Sequence, residues 1–187
     1  WATLGIFLAG LVLLGGIVVA VDPFFHYHKP LRGLAYSIDS ERYQNDGISR
    51  HFTYDALLTG TSMSENFKVS SFDRLFDVKA VKIPYGGGYY KEVDEAVRRA
   101  ISYNPRIKMV FRSLDKSFLM YDKDQWNPTA PAPDYLLDGN PWNDVNYIWN
   151  KEVIFGNVRS ILNRTKAGAD MTTFDEYMNW APDKEWG

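Results

Sequence analysis

Residues 54–62 read YDALLTGTS. The apolar run ends at Gly60, too short for a helix and bounded by a turn former, so Tyr54–Thr59 reads as a buried strand. Ser62 and Glu65 follow at capping-box spacing, which turns the chain from strand directly into a helix start over Ser62–Phe67. The pattern then recurs. Val78–Pro84 (VKAVKIP) alternates apolar residues with Lys and runs into Gly86-Gly87-Gly88. Tyr89–Tyr103 follows with Val93, Ala96, Val97, Ala100 and Ile101 at helical spacing, until Asn104-Pro105 stops it. Ile107–Arg112 (IKMVFR) is a third strand, leading into Ser113-Leu114-Asp115. Strand, loop and helix in repeated succession predict an α/β fold with a parallel sheet.

Beyond Asp115 the text changes. Pro128, Pro131, Pro133 and Pro141 mark an extended insertion, and Val145–Leu162 reads as one helix interrupted near Gly156. Thr173 and Glu176 give another capping-box spacing, and no further strand is apparent. An open sheet of three strands leaves an unprotected edge.

Toward the N-terminus, none of the 21 Lys+Arg or 23 Asp+Glu lies within residues 1–21, WATLGIFLAGLVLLGGIVVAV. At roughly 1.5 Å per residue this stretch reaches about 31 Å, enough to cross a bilayer's hydrocarbon core. It runs straight into Asp22-Pro23-Phe24-Phe25 with no small-x-small cleavage signal, so it reads as an uncleaved, single-pass anchor with lipid as its partner. On this reading residues 22–53 are an irregular juxtamembrane lead-in, with Asn45-Asp46-Gly47 as a turn. Residues 54–187 are the folded domain, separable from the anchor so that a chain starting at Asp22 stays soluble.

Composition excludes several functions. A net charge of −2 with no Lys/Arg block offers nothing to nucleic acid. Zero cysteines exclude disulfides, a cysteine zinc site and a thiol nucleophile. His26-x-His28 with Asp22 lacks a third placed ligand for a metal site, and no cofactor is expected. Trp126, Tyr135, Trp142, Tyr147, Trp149, Tyr177 and Trp180 are either core or a sugar-stacking platform.

Ligands of open parallel sheets bind outside the carboxyl ends of the strands. Three such ends exist here: Gly60-Thr61-Ser62, the Gly86–Gly88 loop, and Arg112–Asp115. A serine at a strand-to-helix turn, facing glycine N–H groups, is a layout suited to acyl transfer. A helix cap at Ser62 and a plain tight turn at the glycines are the competing readings.

The block YDALLTGTS resembles the first block of SGNH (GDSL-like) hydrolases, and DPFFHYHKP, ERYQNDGISRHF and TGTSMSENF together are similar to membrane-anchored SGNH-like proteins of Clostridia-type bacteria. The resemblance implies a partial three-layer α/β/α sheet of SGNH/flavodoxin-like type. It implies a serine esterase or O-acyltransferase of the cell membrane, its domain extracytoplasmic, acting on cell-envelope polysaccharide. Ser62 would be the nucleophile, with Gly60, Gly87, Gly88 and Asp115 binding oxyanion or substrate.

Two blocks depart from the family. Arg112-Ser113-Leu114-Asp115 replaces Gly-x-Asn-Asp, and no Asp-x-x-His follows. The histidines are His26, His28 and His51, all before Ser62, with His51 the one that could approach it. The expectation is therefore an N-terminal fragment whose remaining strands and base lie beyond Gly187. The alternative is a non-catalytic envelope-binding or assembly module that keeps the fold without the base.

Overall fold

The structure is a computed structural model that describes residues 1–182; the last five residues of the expected 54–187 domain lie outside the described residues. Three strands, β1 (Ala56–Gly60), β2 (Ala80–Pro84) and β3 (Met109–Arg112), form a parallel sheet in the order β2-β1-β3. β1 pairs in register with both neighbours, Thr59 opposite Ile83 on one side and Arg112 on the other. All five residues of β1 and all five of β2 are buried, which is why β1 reads as an apolar run, whereas the alternation of Lys in β2 does not mark a solvent face. β3 is half-exposed and carries the open edge.

The longer helices are α1 (Ala2–Val21), α2 (Glu41–His51), α3 (Val69–Phe76) and α4 (Tyr90–Tyr103). α4 makes the crossover between β2 and β3 and buries Val93, Ala96 and Ala100, three of its periodic residues. Leu57, Val81 and Ile83 join α2 and α4 in the larger core cluster, while Ala56, Leu58 and Ala80 pack with Val69 and Phe72 of α3 in a smaller one. Short helices α5 (Ser117–Met120) and α6 (Val145–Ile148) follow, then a π-helical stretch (Val153–Val158) continuous with α7 (Arg159–Lys166).

The expected single helix over Val145–Leu162 breaks at Asn150 rather than Gly156, because the Asn150 side chain accepts the Glu152 N–H at 2.9 Å and starts a new helix. The Thr173–Glu176 capping box forms in both directions.

Residues 22–53 are not an irregular lead-in. Asn45-Asp46-Gly47 lies inside α2, a helix whose buried residues include Gln44, Asn45, Asp46 and Ser49. Each of these polar groups is paired. Gln44 accepts the N–H groups of Asp39 and Ser40 and donates to the Pro23 and Ser37 carbonyls. Asn45 bridges the Pro84 carbonyl and the Tyr177 hydroxyl, and Asp46 pairs with Arg50 and Arg99. Gly47 is there for proximity: a Cβ on it would fall within about 2.5 Å of the Phe25 carbonyl oxygen, with the Phe24 carbonyl beside it.

The domain is also not separable from α1. Val18 and Val21 belong to the main core, and Tyr36 Oη donates to the Val21 carbonyl at 2.5 Å. Asp22 ends the helix in a left-handed conformation (φ 48°) and is fully buried. Its carboxylate accepts the N–H groups of His26, Tyr27 and His28 at 2.8–2.9 Å and the Tyr147 hydroxyl at 2.8 Å. Residues 1–21 thus contribute Val18 and Val21 to the core of the domain.

Gly47→Ala should destabilise the protein by at least about 2 kcal/mol, because overpacking against backbone cannot be relieved by a rotamer change. Chemical denaturation followed by far-ultraviolet circular dichroism measures this.

Candidate functional site

The carboxyl ends of the strands form one rim. At its centre Gly60 adopts φ 151°, and a Cβ there would overlap Ser113 Oγ, so only glycine lets β1 and β3 close at this point. The Gly60 carbonyl accepts from Tyr85 N–H at 2.9 Å and the Thr59 carbonyl from Ser113 N–H at 3.0 Å, which ties the three strand ends together. Ser62–Asn66 then forms a 3₁₀ turn.

The hydroxyls along this turn have different fates. Thr61 Oγ1 donates to Asp115 Oδ2 at 2.6 Å, and Ser64, fully buried, donates to the Thr61 carbonyl at 2.7 Å. Ser62 is half-buried, and among the described residues its side chain has no hydrogen-bond partner, so it does not cap the turn. The Ser62 carbonyl accepts from Trp180 Nε1 at 3.3 Å. The Thr61 hydroxyl and the Ser117 N–H hold the Asp115 carboxyl below the usual carboxylate range. A cavity of about 340 Å³ opens beside Asp115, lined by Tyr90, Leu114, Phe118 and Leu119 with Lys116 and Lys123.

The glycine loop sits on the same rim but offers fewer donors than its sequence suggests. Gly86 N–H donates to Glu41 Oε2 at 2.6 Å and Gly88 N–H to the Tyr85 carbonyl at 2.8 Å. Gly87, at φ 63°, keeps the N–H without a partner among the described residues, while its carbonyl accepts from Asn127. Ser62, Gly60, Gly87, Gly88 and Asp115 thus all lie at this end of the sheet.

The histidines do not. His26 Nε2 meets Asp144 at 3.3 Å, and the His28 ring reaches the Val19 and Lys29 carbonyls. His51 contacts the His26 carbonyl and lines a larger cavity, about 570 Å³, with Lys79 and Ala80 at the start of β2. That is the opposite end of the strands from Ser62. Burial pushes the His51 imidazole down. No group of three or more His, Asp or Glu among the described residues is placed to hold a metal ion. The aromatic residues do not form one platform: Tyr147 and Tyr177 are core, whereas Trp142, Trp149 and Trp180 are exposed at separate places.

Sequence reasoning missed a buried ionisable cluster under the glycine loop. Glu41, at the start of α2, and Glu65, in the 3₁₀ turn, are both more than nine-tenths buried. A Cβ on Gly86 would lie 3.0 Å from Glu65 Oε1 and 3.1 Å from Glu41 Oε2, so the two carboxyls meet at that glycine. Burial and the adjacent Glu41 carboxyl push Glu65 up to about 8, against the pull of Lys82. Lys82 is itself fully buried, where strand alternation put it toward solvent. It donates to the Glu65 and Phe67 carbonyls, and burial pushes its ammonium down to about 8. The one signal available in sequence was the S-x-x-E spacing, which marks Glu65 but not its partner.

Comparison with protein-family models, with curated proteins and with solved structures finds no match to this chain.

Because the folded state raises the Glu65 pKa, it holds that proton more tightly than the unfolded chain does. The stability this contributes is present below about 4.5 and lost as pH rises toward about 8. Glu65→Gln, which cannot ionise, should therefore lose less stability than the parent between pH 5 and pH 8 in urea titrations. Parallel pH dependence in the two proteins would contradict the raised Glu65 pKa.

Proposed function

We propose that the protein is a membrane-anchored, extracytoplasmic serine esterase or O-acyltransferase of the SGNH type, with a three-layer α/β/α sheet, acting on cell-envelope polysaccharide. The observation that carries the reading is Ser62: at the end of the central strand it has the half-exposed, unpartnered hydroxyl between two neighbours whose hydroxyls are engaged. In this reading Ser62 Oγ attacks the acyl carbonyl, and the N–H groups of Ser62 and Gly87 receive the developing oxyanion. Asp115 orients Thr61 beside the nucleophile, and the cavity at Leu114 and Phe118 takes an apolar part of the substrate. The proton leaving Ser62 needs a base, and none of the three histidines of this sequence stands beside Ser62 to take it. Helix α1, long and apolar enough to cross a bilayer and largely exposed, supports the anchor.

A second reading, a non-catalytic envelope-binding or assembly module, is favoured by one observation. All three histidines are engaged away from Ser62.

In membranes, Ser62→Ala should lower hydrolysis of an acetyl ester by on the order of 10³-fold or more, the scale of losing a serine nucleophile. A fluorophosphonate probe should label the parent and not the variant. Full turnover by Ser62→Ala overturns the esterase; no turnover and no labelling of the parent supports the binding module.

A further inference from the structure

Helix α1 and the domain meet much farther along the helix than a stalk requires. Trp149 Nε1 donates to the Leu11 carbonyl at 3.1 Å, and a Cβ on Gly15 would lie 2.9 Å from Ile148 Cγ2 and 3.1 Å from Trp149 Nε1. Leu11 is ten residues before Val21, about 15 Å back along the axis, halfway down a helix roughly 30 Å long. Gly15, Val18 and Val21 form the covered stripe of α1, and α6 and the π-helical stretch are what covers it. Three large apolar residues of that cover face outward, Val145, Trp149 and Phe155, at 44%, 48% and 65% exposed, among the polar Asn146, Lys151, Glu152 and Arg159.

A bilayer that α1 enters cannot end at Val21 without burying this shoulder. The hydrocarbon core is about 30 Å thick, the full length of α1, which would place Trp149 near its middle. Lys151 and Glu152, both exposed, follow Trp149 directly and would be drawn into hydrocarbon with it. Setting the headgroup boundary at the level of Leu11–Gly15 keeps those charges out of hydrocarbon and leaves residues 2–11, about 15 Å of α1, inserted below it. Trp149 then lies in the interfacial belt that tryptophan favours, and Lys151 reaches the headgroups.

We propose that α6 and the π-helical stretch form a second membrane-contacting surface, seated in the headgroup–acyl boundary of the same bilayer through Val145, Trp149 and Phe155. The domain rests in the lipid surface instead of standing clear of it on α1. The occupant is a lipid bilayer because the shoulder is continuous with α1, and the proposal rests on reading α1 as the membrane helix.

The chain has no cysteine, so single-cysteine variants carry one label each. Leu8→Cys, Val145→Cys, Phe155→Cys and Leu119→Cys, the last exposed beside Asp115 at the Ser62 rim, would be labelled with a polarity-sensitive fluorophore in the full chain. The samples would be reconstituted in phosphatidylcholine–phosphatidylglycerol vesicles. Quenchers would be phosphatidylcholine with a doxyl group near the headgroup or near the chain end. The expected result is blue-shifted emission at 145 and 155 lost to the shallow quencher, blue-shifted emission at 8 without deep quenching, and neither effect at 119. Deep quenching at 8 with water-like emission at 145 and 155 overturns the seated domain while leaving the anchor intact. Water-like emission at 8 overturns the anchor and the seating together.

Discussion

The buried carboxylate of Asp22 is the constraint from which the arrangement follows. It stands at the C-terminal end of α1, where the helix dipole disfavours negative charge, in a left-handed conformation an aspartate adopts at a cost. Three backbone N–H groups and the Tyr147 hydroxyl converge on it and offset both penalties. Charge-assisted bonds of this kind contribute about 1.5–3 kcal/mol each when formed and leave a costly unpaired charge when lost. The four donors also fix geometry. The chain from Asp22 to His28 must wrap the carboxylate, and α6, which carries Tyr147, must lie against the end of α1. Burial and the nearby Asp22 raise the Tyr147 phenol well above its ordinary value, so it stays a donor at any physiological pH.

At the other end of the sheet, close approach governs the chemistry that is available. Gly60 has no room for a side chain beside Ser113, and Gly86 has none between two carboxyls. These glycines keep the rim tight, with Asp115 engaged by Thr61 and the Ser117 N–H. Without a partner among the described residues are the Ser62, Ser113 and Ser117 hydroxyls, the Asn66 side chain and the Gly87 N–H, beside the cavity at Asp115. The Glu41–Glu65 pair lies below this surface, held by Gly86 N–H from one side and by Lys82 from the other. Burial and the adjacent Glu41 carboxyl raise the Glu65 pKa, so Glu65 keeps its proton to higher pH than an isolated glutamate does.

The strands were legible because apolar runs bounded by glycine have few alternatives, and the rim followed from the rule that parallel strands present their carboxyl ends to ligands. Helix α2 was not legible. Its buried face is Gln44, Asn45, Ile48 and Ser49, held by hydrogen bonds to loops distant in sequence, so it carries no apolar period. Gly47 looked like a turn for the same reason that it works in the helix: it lacks a side chain. Lys82 misled in the opposite direction, since strand alternation cannot tell a solvent face from one capped by buried carbonyls. The packing of α1 was equally hidden, because a helix apolar all round does not show which stripe meets protein. The Glu41–Glu65 pair joins two segments that only the position of α2 brings together.

These elements form one continuous path of contact from α1 to Ser62. Asp22 fixes the Phe24–Phe25 backbone, and Gly47 seats α2 directly on the carbonyls of those two residues. α2 in turn sets Glu41 against the Gly86 N–H, and Asn45 against the Pro84 carbonyl at the end of β2. Glu65, which meets Glu41 at Gly86, belongs to the same 3₁₀ turn as Ser62. Every step in that path is a backbone contact or a buried polar pair, with no exposed flexible side chain acting as a joint. The orientation of α1 therefore fixes the orientation of the Ser62 rim, through the fold rather than through a linker.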